Sequence, residues 1–236
     1  AYTPWEWHEE LFETAREEGL ICFSTPFDKT SVDFLETLNT PIYKIASFEI
    51  TDIPLIKYVS SKKKPIIMST GIADYDAIKL AVDTCRKEGN NDITLLKCTS
   101  SYPAPIEEAN LVMIAQLAKD FGTKVGLSDH TLGITVPVVS VALGATVIEK
   151  HFILDRAIGG PDAEFSLDEL EFSAMVKAVR EAEKAIGKVD YSLSDKQKNS
   201  LVFARSLYVV KDIKEGEVIT EENVRSIRPG FGLHPK

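Results

Sequence analysis

Ile42-Tyr-Lys-Ile-Ala-Ser47 sets the architecture: it is apolar on both faces of its alternation, interrupted only by Lys44, and closes on a hydroxyl. A strand wetted on one face would alternate polar with apolar, so this one is covered on both sides, as in a parallel sheet. The same texture recurs at Ile21–Phe27, Pro65–Thr70, Ile93–Thr99, Lys124–Ser128 and Ala145–Phe152. Starts fall about 20 to 30 residues apart, and Thr30–Leu38, Asp52–Lys62, Asp74–Glu88, Ile106–Asp120 and Ile134–Leu143 between them carry apolar residues at helical spacing. Strands alternating with helices imply βαβ units and an α/β fold. A longer helix is expected from about Leu167 to Ile186, stopped by Gly187.

After Gly187 the pattern changes. Lys188 to Asn199 is polar and without period and reads as a linker, placed over 188–205. Ser206 to Lys236 predicts a strand at Leu207-Tyr-Val-Val, a turn at Lys214-Glu-Gly-Glu, a second strand at Val218-Ile219 and a brief helix capped by Thr220. Some thirty residues bury too little for a stable core, so this segment reads as the start of a small second domain. At the other end, Thr3-Pro4-Trp5-Glu6 reads as a capping box with Thr3 as N-cap. The methionines are Met68, Met113 and Met175, so Ala1 is not an initiator, and the chain is expected to begin in mid-fold.

Composition excludes several classes. The 236 residues are 44% hydrophobic and 27% charged, a globular balance. Twenty-seven basic against 36 acidic side chains give −9, which argues against a nucleic-acid or anionic-membrane partner. The longest mostly apolar stretch, Val136 to Ile148, is about a dozen residues, short of the ~20 a membrane helix needs. Cys22, Cys85 and Cys98 stand in no metal or disulfide spacing, and the chain reads as cytoplasmic.

The polar residues of the α/β region collect where strands end: Ser24-Thr25, Ser47, Ser69-Thr70-Gly71, Thr99-Ser100-Ser101, Ser128-Asp129-His130 and His151. Ligands of parallel α/β folds bind at that edge, and a collar of small donors suits a phosphate or carboxylate. Ser and Thr are also ordinary helix caps after strands, but six strand ends in succession favour the collar. Lys44 needs a partner to be buried; Glu49 is one candidate and a substrate phosphate the other. His130 and His151 end successive strands and suit either a divalent metal with open positions or satisfied core roles. Glu149, on the same strand face as His151, is placed to orient it. Gly159-Gly-Pro-Asp162 is a turn bringing a carboxylate to the same mouth.

These stretches together resemble the sialic acid synthase family, which condenses phosphoenolpyruvate with an amino-sugar. Its carriers are Ser24-Thr-Pro-Phe27, Tyr43-Lys-Ile-Ala-Ser-Phe-Glu49, Met68-Ser-Thr-Gly71, Lys97-Cys-Thr-Ser-Ser-Tyr-Pro103, Gly126-Leu-Ser-Asp-His-Thr131, Ile148-Glu-Lys-His-Phe152 and Gly160-Pro-Asp162. Arg156-Ala-Ile-Gly-Gly-Pro-Asp162, Phe203-Ala-Arg-Ser-Leu-Tyr208 and Arg228-Pro-Gly-Phe-Gly-Leu-His-Pro235 are most similar to its pseudaminic-acid-forming branch. Neuraminate and legionaminate formation are the alternatives, then a metal-dependent aldolase or isomerase on a similar barrel, then a non-catalytic carbohydrate-binding protein on the same frame.

The resemblance implies a (β/α)8 TIM barrel over 1–187 and the start of an SAF, or antifreeze-like, domain over 206–236. Six strands are visible, so the first two of the barrel would lie upstream of Ala1, with an active-site glutamate and a phosphoenolpyruvate-binding lysine. That leaves open whether this chain is active by itself. Carried over residue by residue, His130 and His151 match the ligands of Mn2+ or Mg2+. Thr25, Lys44, Ser47, Ser69, Ser100, Tyr102 and Ser128 match the phosphoenolpyruvate pocket, Ser100 standing where better-known relatives have asparagine. Phe27, Glu49 and Asp162 match sugar-side positions, and Arg228 an arginine inserted into the partner subunit's site. Lys44, Glu49, His130 and His151 are the expected catalytic set, and a domain-swapped homodimer the expected assembly.

Overall fold

The computed structural model describes residues 3–236. They fall into two compact units, one ending at residue 187 and the other spanning 188–236. In the first, five strands form one parallel sheet in sequential order: β1 (Tyr43–Ile45), β2 (Ile66–Ser69), β3 (Ile93–Cys98), β4 (Lys124–Asp129) and β5 (Val147–Lys150). Seven helices accompany them: α1 (His8–Glu17), α2 (Lys29–Thr37), α3 (Ile53–Ser61), α4 (Tyr75–Lys87), α5 (Met113–Phe121), α6 (Thr135–Ala142) and α7 (Glu169–Ile186). The architecture is α/β, part of a barrel.

Local chemistry sets the element ends. Asp28, Asp52, Asp74 and Asp168 each accept a backbone N–H at the start of α2, α3, α4 and α7, filling one of the donors a helix start leaves unpaired. Helix α5 stops at Gly122, which adopts φ +59°, a left-handed cap that glycine takes without strain.

The pleat sorts side chains into two layers. Tyr43, Ile45, Met68, Leu95, Val125 and Leu127 lie in the buried core against the helices. Their strand neighbours Lys44, Ser69, Cys98 and Ser128 therefore project from the opposite, inner face. The registers Lys44↔Ile67, Ser69↔Leu96, Cys98↔Ser128 and Ser128↔Glu149 step that polar set from strand to strand. Gly126 of β4 lies on the same face; a Cβ there would be 2.3 Å from the Val147 carbonyl oxygen and 2.7 Å from Leu96 Cδ2. Only a hydrogen fits between β3, β4 and β5 at this point.

The sequence expectations need correction at several elements. Ile21–Phe27 is not a strand: a single bridge, Ser24 to Tyr43, marks its place. Pro26 has no N–H to extend the ladder. Thr3 is not an N-cap; the first turn, Trp5–Trp7, starts from Pro4 with no side-chain cap and runs into α1. Ile106–Asp120 splits into a 3-10 turn, Ile106–Glu108, and α5.

In the second unit, Ser194 and Gln197 form a capping box that opens α8 (Asp195–Ser200), inside the stretch read as linker. Strand β6 (Ser206–Val209) pairs antiparallel with β7 (Val224–Ile227). Val218 and Ile219 are not a strand and Thr220 opens a turn rather than a helix. The Asn223 side chain closes that turn by donating to the Val218 carbonyl and accepting from the Thr220 N–H. Among the described residues no helix is long and apolar enough to cross a membrane.

Candidate active site

The inner face of β1–β5 gathers most of the residues singled out above, in three linked groups. The first centres on Lys44, 6% exposed. Its ammonium donates to Ser69 Oγ at 2.8 Å and to the Ile45 carbonyl at 3.3 Å. Its ion partner is Glu149, at 3.4 Å, rather than Glu49. Glu149 also accepts a 2.6 Å bond from Ser128 Oγ. Glu149 is thus occupied across the sheet with Lys44 and Ser128, and the orienting role toward His151 expected for it goes to another carboxylate.

The second group surrounds Gly71. Its N–H donates to Ser47 Oγ at 3.1 Å, and Ser47 Oγ donates to Cys98 Sγ at 3.4 Å. Cys98 Sγ lies 3.9 Å from both Ser100 Oγ and His130 Nδ1. A Cβ on Gly71 would be 2.1 Å from Ser100 Oγ and 2.8 Å from Ser47 Oγ, so the hydroxyls converge because this residue has no side chain. Burial pushes the Cys98 thiol up, but bonds to His130 and Ser47 outweigh it and bring it down to about 7.

The third group is aromatic. His130 and His151 have ring centroids 5.3 Å apart. Phe165, buried, packs edge-on against both, and Tyr102 lies 4.4 Å from the His130 ring. His130 Nδ1 is 2.9 Å from the Thr99 carbonyl oxygen, which fixes the proton on Nδ1 and leaves Nε2 with its lone pair. His151 Nδ1 lies 3.6 Å from Asp162 Oδ2. Burial pushes His151 below its ordinary value and the neighbouring His130 adds to this; burial alone would lower His130, but Cys98 and the Thr99 carbonyl raise it.

Glu49 sits beside these groups on the 3-10 turn Ser47–Glu49. Its Oε2 is buried with no hydrogen-bond partner, and burial raises its carboxyl above the ordinary range. A buried acceptor without a donor is costly in a folded chain and marks a place for a donor from outside.

Among the described residues, three of those selected from sequence do not join the cluster through any contact. Thr25 and Phe27 line a hollow of about 240 Å³ with Trp5, His8 and Phe34. Arg228 is exposed, in the second unit. Two participants were missed: Cys98 and Phe165. Alternation along Lys97-Cys98-Thr99 places Cys98 on the polar face and was available as a signal. Phe165 comes from a loop with no periodic pattern.

The donor set fits a hard divalent ion in one respect and limits it in another. The His130 and His151 imidazoles are neighbours, but no three His, Cys, Asp or Glu residues among those described group as a metal site. A divalent ion held there would take two ligands from the protein and the rest from water and substrate.

Comparison with known proteins identifies the family. The NeuB family model matches residues 1–191 and the SAF domain model residues 204–236. Pseudaminic acid synthase from Campylobacter jejuni is 52% identical over all of this chain and 69% of its own length. The Helicobacter pylori enzyme of that name is 48% identical, over all of this chain and 70% of its own. N,N'-diacetyllegionaminic acid synthase of C. jejuni is 42% identical over 96% of this chain and 69% of its own. The solved N-acetylneuraminic acid synthetase of Leptospira borgpetersenii superposes with a TM-score of 0.80 at 31% identity, over 84% of this chain and 70% of that one.

Proposed function

The chain belongs to the NeuB family, and from that premise we propose that it acts as a pseudaminic acid synthase. The reaction joins phosphoenolpyruvate, 2,4-diacetamido-2,4,6-trideoxy-β-L-altropyranose and water, and gives pseudaminic acid and phosphate. The observation that carries the phosphoenolpyruvate half is the buried Lys44 ammonium bonded to Ser69 and facing Glu149 on a wall of serine hydroxyls. The choice of sugar rests on sequence likeness: 52% and 48% identity to pseudaminic acid synthases against 42% to a legionaminic acid synthase.

In this reading the phosphate displaces Glu149 as the main partner of Lys44 and takes hydrogen bonds from Ser69, Ser128, Ser47 and Ser100, with Thr25 and Tyr102 at the margin. These groups position and stabilise charge rather than form bonds. C3 of phosphoenolpyruvate attacks the aldehyde carbon of the open-chain sugar, water adds at C2, and the tetrahedral product loses phosphate. Glu49, with its orphaned oxygen, accepts a sugar hydroxyl; Asp162 and Phe27 flank the sugar. His130 and His151 would hold Mn2+ or Mg2+, and the cation would supply Lewis acidity toward the aldehyde oxygen. The second unit serves the site in trans within a domain-swapped homodimer, through the partner subunit's Arg228.

The deciding experiment follows phosphate release from phosphoenolpyruvate by the full-length protein with Mn2+. Release with the diacetamido-altrose and not with N-acetylmannosamine supports the reading. The reverse preference moves the protein to the neuraminate branch, and no release with either overturns synthase activity on these sugars.

A further inference from the structure

Directly behind the two histidines, on the opposite face of the sheet, lies a buried ion pair that the proposed reaction does not use. Asp129 and Lys150 face each other across the β4–β5 register, one residue before His130 and His151. Their side chains are 2% and 0% exposed, and Lys150 Nζ is 2.6 Å from Asp129 Oδ2. Lys150 also donates to the Thr131 carbonyl. Asp129 accepts the Thr131 N–H at 3.1 Å and the Thr131 hydroxyl at 3.2 Å. The pair thus closes a ring of bonds from β4, through residue 131 beyond His130, to β5.

A buried ion pair is a poor way to gain stability, since well-packed apolar residues of similar volume serve as well or better. What it supplies is directional, short-range geometry. The ladder ends at this step: the last register pair is Asp129↔Lys150, and no strand bond spaces the two imidazoles that follow. Gly126, three residues earlier, keeps β4 and β5 at close approach, and the ion pair carries that spacing to the strand ends.

We propose that Asp129 and Lys150 are positioning residues that set the separation and aim of His130 and His151, and so the affinity of the divalent cation between them. The inference rests on the reading of those histidines as metal ligands. It predicts that neutralising the pair weakens the cation without altering phosphoenolpyruvate contacts, which lie on Lys44 and the serine wall.

The test is Mn2+ titration of the full-length protein, read by the loss of the free-ion electron paramagnetic resonance signal, with phosphoenolpyruvate affinity measured separately. His130→Ala is the control for the site itself: if it leaves Mn2+ affinity unchanged, the metal reading fails and this inference with it. Given a loss in that control, the double variant D129N/K150M, which removes both charges and leaves neither unpaired, is expected to weaken Mn2+ at least tenfold with phosphoenolpyruvate affinity within twofold of the parent. Unchanged Mn2+ affinity in a folded double variant overturns the positioning role while sparing the metal site. Should the double variant fail to fold, Lys150→Arg and Thr131→Val decide. Each keeps the charges but disturbs the ring, and about threefold weaker Mn2+ in either supports the role, whereas no change in both overturns it.

Discussion

Lys44 is buried on the inner face with one ion partner whose side chain is 39% exposed. That asymmetry suits a site that gives up its internal partner to a ligand, because water can take over Glu149 when an anion takes Lys44. Lys44→Met is therefore expected to lower kcat/KM for phosphoenolpyruvate by about 100- to 1000-fold. The melting temperature should stay nearly constant, since Glu149 keeps its Ser128 bond and meets solvent. Steady-state kinetics and calorimetry check the two halves. Gly71→Ala attacks the same site by volume: its Cβ, 2.1 Å from Ser100 Oγ, must push the hydroxyls apart. About a tenfold rise in KM for phosphoenolpyruvate is expected, with a stability loss of about 1–3 kcal/mol. A different residue contributes to the acid limb of stability. Burial would raise Glu36, but bonds from Lys64 and the Tyr43 hydroxyl hold its carboxyl below its ordinary value. Its folded value lies below the unfolded one of about 4.3, so its contribution is full above that pH and is lost as acid titrates it. Melting temperature should fall less steeply between about pH 5 and 3 in Glu36→Gln than in the parent, and parallel curves would show that this carboxylate is not the cause.

Among the elements, β4 and β5 end in the two histidines, and at Gly126 no side chain fits between them. Gly126→Ala would place a methyl 2.3 Å from a backbone carbonyl that cannot turn away. The expected cost is about 3 kcal/mol, together with weaker Mn2+ binding, because β5 carries His151; thermal unfolding and the same metal titration measure both. This element pair also shows what the sequence displays and what it conceals. Continuous apolar runs and the polar residue closing each one made all five strands of the sheet and the collar on the inner face legible from spacing alone. The partner of Lys44 was not legible. Glu49 is five residues away in the chain, whereas Glu149 reaches Lys44 only because the curved sheet brings β5 over β1, a distance that no local pattern encodes. Strand identity failed where pairing is one-sided: Ile21–Phe27 has strand composition, yet among the described residues only one bridge forms. In the second unit, β7 reads Val-Arg-Ser-Ile and was passed over for the more apolar Val218-Ile219, which the Thr220–Asn223 turn holds out of the sheet.

At the scale of the whole molecule the open matter is how a barrel unit and a small SAF unit cooperate. The barrel unit holds Lys44, the serine hydroxyls and the histidines, while Arg228 stands exposed in the other unit, with no side-chain bond among the described residues. An exposed arginine suits a planar, bidentate grip on an acetamido or carboxylate group. In the proposed homodimer it would grip the sugar in the neighbouring barrel, so Arg228→Ala is expected to raise KM for the sugar with little effect on phosphoenolpyruvate binding. Exchange between subunits can be tested without a structure of the dimer. His130→Ala has an intact arm and a dead barrel; Arg228→Ala has the reverse. Mixed one to one through unfolding and refolding, half the dimers are heterodimers, and an exchanged arrangement gives each of them one complete site. About a quarter of the parent's specific activity should then return at limiting sugar. Recovery no greater than the sum of the separate variants would place the arginine on the barrel of its own chain, and unchanged sugar KM in Arg228→Ala would remove it from the site altogether.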